Sequence, residues 1–583
     1  MPGGDPVRHV DVPIGSRAAQ WRTTPTERTV LLIVHNVTTL TRLLDILPVF
    51  DSDPRIQLVA SWNSSDPFSH GLTDLIDDIG VVAVPWEQAR HTAFDLAVAA
   101  SHHGSLTDIG APLVIISHGI GYTKNWLEQR AASSEQRAAS SEQRTANSEQ
   151  TFGLSPQWVL YNGKPVADAL VLSHHEQVAR LAAAAPAAVP AAVVAGDPCL
   201  DRIMASLGER EHHRSALGVG DRTLVMLSST WGSRSLLGSS PDLIRRLMSE
   251  LPVDRFKTVA AIHPNARHGH GPAQWRSWLA DCERSGLVLL SEIDGWRSGL
   301  IAADVLVGDY GAVTGYGAAA GRPVLLGAFP EREVASGSPI AVLGQLAPRL
   351  DPSRPIRPQL EATIAQWPVD AQRKIAELAT SMPGESLERL RTLFYRIMDL
   401  PLPYGEPPIE AVPIVKNIPK DNAAARILQV ECVVDSAGPN IQVVRFPAEL
   451  QRRKIGLTDT PATDHHLVSP ANYPLRRLRS AAAVLTVEAT NIRQDSYDHW
   501  LTTTIANHPA CMMAVLVTRT RAVVRVRNGP RLEINAPDGF ADAAVSATYA
   551  WLGVGGSLDV LAAGATFQVD DTRRAFQVRI TSL

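Results

Sequence analysis

The chain has 583 residues, 45% of them hydrophobic and 20% charged, with a formal net charge of −4. That length exceeds one ordinary domain and predicts three or four compact units. The near-neutral balance excludes a strong overall field for nucleic acid or an anionic membrane, and no window approaches the 18 uninterrupted apolar residues that would span a bilayer.

Residues 1–28 are polar with no apolar core, so they read as a disordered leader and not as a signal peptide. Cys199, Cys282, Cys432 and Cys511 lie far apart without a C-x-x-C pair. This predicts a reducing, cytoplasmic location with neither a disulfide framework nor a structural zinc site.

From Thr29 to His35 the sequence is a continuous apolar run, followed by a helical pattern at 40–50. Further short runs come at 56–61, 81–84 and 112–117, with a helix-like stretch at 87–100. Buried runs alternating with amphipathic segments indicate a parallel sheet covered by helices, here an α/β unit over 29–190. A heptapeptide repeat (EQRAASS, EQRAASS, EQRTANS) interrupts it at 128–150. It carries no apolar seam and reads as a solvated insertion.

A second α/β unit is expected over 191–400, with runs at 192–195, 223–227, 258–262, 287–290, 305–307 and 323–326. A Pro-rich linker follows at 401–420. Beyond it, over 421–583, strand-like runs and one good helix candidate at 541–551 predict a smaller α+β domain. The fold class is therefore α/β, two Rossmann-like domains followed by a smaller α+β domain.

Five segments carry polar chemistry at strand ends, where open α/β sheets bind ligands. The first is Ser117-His118-Gly119-Ile120-Gly121-Tyr122-Thr123-Lys124. His118, with glycines leaving room for substrate, is a candidate general base or a structural strand-end histidine. The second is the turn Gly196-Asp197-Pro198-Cys199-Leu200-Asp201, which launches a helix. The third, Ser228 to Arg234, clusters hydroxyls, Gly232 and Arg234 in a way that suits phosphate oxygens. The fourth, His263-Pro264-Asn265, is followed by His268 and His270. No acidic or cysteine ligand has suitable spacing to these, so no metal is assigned. The fifth, Gly308-Asp309-Tyr310-Gly311-Ala312-Val313-Thr314-Gly315, runs from a strand into a small-residue helix whose backbone N–H groups would receive an anion.

Taken in order, the five resemble the CDP-glycerol glycerophosphotransferase family of GT-B fold. The family's segments correspond to His118-Gly119 with Lys124, Gly196-x-Pro198 with Asp201, Ser229-Thr230-Trp231, His263-Pro264 and Asp309-Tyr310-Gly311-Ala312. The resemblance covers about residues 29–400. It implies that His118 activates an acceptor hydroxyl. Donor and phosphate binding then falls to Lys124, Thr230, Arg234, His263, Asp309, Gly311, Ala312, Val313 and Thr314. The family's turn arginine is Cys199 here, and its two loop serines are Gly311 and Ala312. The implied activity moves a glycosyl or polyol-phosphate group from a nucleotide-diphosphate donor to a hydroxyl acceptor. It needs no cofactor, no nucleic acid and at most peripheral membrane contact. A catalytically degenerate nucleotide-sugar-binding protein and a nucleotide-sugar 2-epimerase-like enzyme are the alternatives.

In the last unit, Arg519, Arg521, Arg525 and Arg527 share parity within the run 515–527. Read as one strand, they project from one face, either as an anion site or as a solvated face with counter-carboxylates.

Overall fold

The apolar runs of the first unit pair edge to edge in a computed structural model that describes residues 9–15, 18–62, 72–125, 150–416, 425–435, 438–450, 464–569 and 572–581. Its strands are β1 (Arg28–Val34), β2 (Ile56–Trp62), β3 (Leu96–Ala99), β4 (Leu113–Ile115), the small hairpin β5 (Leu160–Tyr161) and β6 (Lys164–Pro165), β7 (Ala169–Leu172) and β8 (Ala192–Val194). The main sheet is parallel throughout, in the order β2-β1-β3-β4-β7-β8. Two expectations shift. Leu96–Ala99, inside the helical pattern at 87–100, is the central strand β3. Ala192–Val194, read as opening the second unit, is the edge strand of the first sheet.

The second sheet contains β9 (Thr223–Ser229), β10 (Phe256–Ile262), β11 (Val288–Leu289), β12 (Val305–Gly308) and β13 (Val324–Leu326), parallel in the order β11-β10-β9-β12-β13. These strands are buried on both faces, which is why they read as unbroken apolar runs. The helix Ser386–Ile397 then returns to the first unit, where Leu390, Leu393 and Phe394 join the core around Val30, Leu32 and Val98.

The third unit corrects the expected α+β domain. Its strands are β14 (Leu428–Val434), β15 (Asn440–Pro447), β16 (Asp464–Pro470), β17 (Val484–Glu488), β18 (Met513–Val517), β19 (Arg521–Val526), β20 (Arg531–Asn535), β21 (Ala565–Val569) and β22 (Thr572–Thr581). They close into a nine-stranded barrel of mixed direction. Helix Ala541–Gly553 fills its interior, burying Ala541, Ala543, Ala544, Ala547 and Ala550 against the inward strand faces. The alanines let the helix backbone approach the strands closely, while Val545 and Trp551 fill the remaining space. The run 515–527 is also not one strand. Residues 518–520 turn the chain between β18 and β19, Arg519 pairs with Asp538, Arg521 pairs with Glu533, and Arg527 donates to backbone carbonyls.

The barrel is bound to the second sheet's unit through buried charge. Arg445, nearly fully buried, pairs with Asp254 and Asp542. Glu449 accepts from Arg284 at 2.7 Å and from Tyr473. Residues 401–416, expected as linker, lie as a strap across the core without regular structure. Pro401 and Gly405 carbonyls accept from Arg55 and Arg391, the Glu410 carbonyl accepts from Arg202, and buried Val412 donates to Ser206. Part of the expected disordered leader also packs down: Ile14 is buried in the first core, and Val10 exchanges two hydrogen bonds with Gln88. The repeat insertion, apart from Gln150, lies outside the described residues. Among the described residues no helix is long and apolar enough to cross a membrane.

Candidate functional site

The carboxyl ends of the two parallel sheets face each other, and the five polar segments meet between them. After β4 the chain enters Ser117–Asn125, which leaves the first unit and docks on the second. Ile120 is buried in the second unit's core, and Lys124 bridges to Val334. Asn125 donates its N–H to the Glu333 carbonyl at 2.9 Å. Gly119 comes so close to the helix Ala312–Ala319 that a side-chain carbon there would sit 3.6 Å from Ala312 Cβ. The His118 segment thus passes beside that helix's first turn, with the His118 ring against Phe152 and within electrostatic reach of Lys124 and His263.

From the second unit, the Asp309–Thr314 turn follows β12 and the 228–236 loop follows β9. Asp309 ties them together. Its buried carboxylate accepts from the backbone N–H of Thr230 (2.8 Å), Leu236 (2.9 Å) and Gly311 (2.9 Å). This corrects the expectation that Asp309 meets a donor phosphate: its acceptor atoms are committed to the two loops. Burial pushes its pKa up to about 6 against these hydrogen bonds. Gly311 caps the helix with ordinary φ, and a Cβ there would lie 3.0 Å from Asp309 Oδ1 and 3.2 Å from Thr230 Cβ. The serine that the resemblance would place here is tight: Asp309 or Thr230 would have to give by a few tenths of an ångström. Thr314 is corrected in the same way. Its hydroxyl is fully buried without a hydrogen-bond partner, packed beneath Gly308, so only its backbone N–H is available at the helix start. The Ala312 and Val313 N–H groups lie in the same first turn, where no intrahelical acceptor exists.

His263 Nδ1 accepts the Asn265 N–H at 3.1 Å. A neutral ring in that state carries its proton on Nε2, so His263 presents a hydrogen-bond donor. Burial and the nearby Lys124 and His118 hold its pKa down to about 3. His118 is likewise depressed to about 3, first by burial and then by Lys124. Both rings are uncharged at neutral pH. Lys124 Nζ lies 5.3 Å from the centre of the Tyr310 ring, and its charge reaches His118, His263 and Asp309. Arg234 is half-exposed at the rim, paired with Glu333 at 2.9 Å, while Glu333 also accepts from the Tyr310 hydroxyl at 2.8 Å.

His268 pairs with Glu292 at 2.6 Å, whereas His270 packs on Trp278. The two side chains thus diverge, and no metal site forms with His263. The turn after β8 is structural. Asp197 caps helix Pro198–Ala205, and Asp201 accepts from Gly384 and Ser386, anchoring the returning helix.

Several residues of the cleft escape a reading by motif. Arg42 donates to the His118 carbonyl at 3.2 Å and packs over the Tyr316 ring. It belongs to a buried network in which Asp45 meets Arg42, Arg202 and Arg297, drawing both units together. His102 and His103, after β3, lie with Phe152 and Trp158 beside His118. The signal for this pair was present: Ser101-His102-His103-Gly104 repeats the strand-end histidine–glycine pattern of the His118 segment.

No family model matches the sequence, and no curated protein does. Solved structures similar to it include the wall teichoic acid polymerase TagF, at 12% identity and a TM-score of 0.42, covering 64% of this chain and 89% of that one. HepE from Anabaena, in complex with UDP-glucose, is similar at 11% identity and a TM-score of 0.36, over 63% of this chain and 99% of that one. S. aureus MnaA with UDP gives 10% identity and a TM-score of 0.37, over 65% and 99%.

Proposed function

We propose that the chain is a GT-B-type transferase that moves a glycosyl or polyol-phosphate group from a nucleotide-diphosphate donor to a hydroxyl acceptor. The observation that carries this reading is the convergence of a helix start, the Lys124 ammonium and two uncharged histidines, His118 and His263, on strand ends of both sheets. The N–H groups of Ala312, Val313 and Thr314, the His263 Nε2–H and the Lys124 ammonium supply donors and positive charge for a pyrophosphate. Thr230 and Arg234 lie on the adjoining loop at the cleft's edge. His118 takes the proton of the acceptor hydroxyl as the new bond forms to the transferred group. The bond from that group to the nucleotide's phosphate oxygen breaks, and the departing negative charge falls on the helix start and Lys124. A pyrophosphate beside His118 opposes the effect of Lys124 and raises the ring's basicity where it is used.

The low basicity of His118 favours one second reading, a nucleotide-sugar-binding protein without turnover. Both readings are tested by presenting nucleotide-diphosphate sugars and CDP-activated polyols to the full chain. A ligand at 100 times its dissociation constant adds about 2.7 kcal/mol of stability, visible as a melting shift. Free nucleotide released only when an acceptor is added supports the transferase; a melting shift without release supports the binder. No shift with any nucleotide diphosphate overturns both.

A further inference from the structure

The barrel brings together three ligating side chains that the cleft does not use. Cys432 on β14 and Asp464 on β16 are directly opposed in antiparallel register. His466 follows two residues later on the same face as Asp464. The Cys432 sulfur, an Asp464 carboxylate oxygen and a His466 ring nitrogen all lie within 4.8 Å of one another. Cys432 and His466 are buried and Asp464 is half-buried. The filling helix closes the other side, with the Ser546 carbonyl 4.0 Å from the sulfur and the Tyr549 ring 4.4 Å from the imidazole.

We propose that Cys432, Asp464 and His466 bind a divalent transition-metal ion of the zinc class. Sulfur, imidazole nitrogen and carboxylate oxygen together suit zinc or cobalt, whereas magnesium and calcium favour all-oxygen sites. Bonds of about 2.0–2.3 Å in a tetrahedral site place ligand atoms roughly 3.3–3.8 Å apart. The present separations, within 4.8 Å, contract to that spacing on binding. His466 Nδ1 now sits 2.6 Å from Asp464 Oδ2, while Nε2 is buried with no partner. The ring is thus held by one hydrogen bond with half its polar capacity unused.

Charge also balances. The ion's two positive charges meet one thiolate and one carboxylate, with the imidazole neutral. The thiol proton leaves to solvent as the sulfur–metal bond forms. The ion supplies the charge that compensates the thiolate and the carboxylate in this buried site.

The test uses the full chain, stripped with a chelator and titrated with Zn2+ and then Co2+ alone. One equivalent of Zn2+ should bind and raise the melting temperature, and Co2+ should show tetrahedral ligand-field bands with a thiolate charge-transfer band. Cys432→Ser should abolish that charge-transfer band, and His466→Gln should weaken Zn2+ binding by about tenfold or more. Absence of stoichiometric binding, or an unchanged cobalt spectrum in folded Cys432→Ser, overturns the proposal. If the variants do not fold, cysteine alkylation of the wild type decides. Zn2+ must slow labelling of Cys432 and leave Cys199, Cys282 and Cys511 unaffected; equal labelling with and without Zn2+ overturns it.

Discussion

Replacing Asp309 with alanine takes the acceptor from three buried backbone N–H groups at once, those of Thr230, Leu236 and Gly311. Each orphaned donor costs about 1–3 kcal/mol, so the three together amount to about 3–9 kcal/mol. Removing a buried charge returns some of this. Asp309→Ala should therefore lose about 3–5 kcal/mol, read from urea midpoints at constant slope. Asp309→Asn keeps one acceptor oxygen and should lose about 1–3 kcal/mol. The sign with pH follows from a folded pKa raised to about 6. The wild-type carboxyl takes up a proton more readily when folded, so its contribution to stability grows as pH falls from 6 toward 4 and shrinks on the way back up. The deficit of the alanine variant should be larger at pH 5 than at pH 8. Nucleotide affinity should fall only as the loops loosen. An alanine variant within about 1 kcal/mol of wild type, or one of full stability that has lost all donor affinity, would refute the positioning role and put the carboxylate on the ligand.

Thr314→Val removes a buried hydroxyl that has no partner, so stability should hold or rise slightly and donor affinity stay unchanged; a tenfold loss of affinity would show that the hydroxyl reaches the ligand. His118→Ala should lower turnover about 10²–10⁴-fold with melting temperature and donor affinity nearly intact, and a folded variant with full turnover removes its role. Neutral His118, His263 and His102, held down to about 3, 3 and 4, favour the folded state above pH 6.5, and that contribution is lost as pH falls through the window below. Asp197 and Asp309, raised to about 6, act in the opposite sense, but three groups displaced further outweigh two. Stability should thus decline between about pH 6.5 and 4, and a flat profile there would show that the rings are solvated. Mild proteolysis should spare 401–416, and the barrel expressed alone should be destabilised because buried Arg445 loses Asp254 and buried Glu449 loses Arg284; an isolated barrel as stable as in the full chain would contradict this.

The parallel sheets were legible because strands covered on both faces read as uninterrupted apolar runs. Leu96–Ala99 was not, since four buried apolar residues after a helical turn look the same in either state. The meeting of His118, His263 and the Asp309–Thr314 turn was legible from their shared place at strand ends. The direction of the Asp309 side chain was not, because it depends on a loop more than 70 residues away in the chain, at Thr230 and Leu236. Closure of the barrel escaped for a related reason. Alternation marks a strand but not its neighbour, and β15 pairs with β21 across more than 100 residues. The arginine hairpin escaped because its turn holds no glycine, proline or asparagine and keeps the side-chain parity running through it.

The chain crosses between the two Rossmann-like units more than once. Helix Ser386–Ile397 returns to the first, and the strap's Val412 then comes back to Ser206 beside helix Pro198–Ala205 of the second. A clamshell joined by a single thread can gape widely; one laced in both directions can only pivot about its lacing. Any opening of the cleft therefore has to strain the returning helix and the strap together, since Pro401, Gly405, Glu410 and Val412 are each tied to the core.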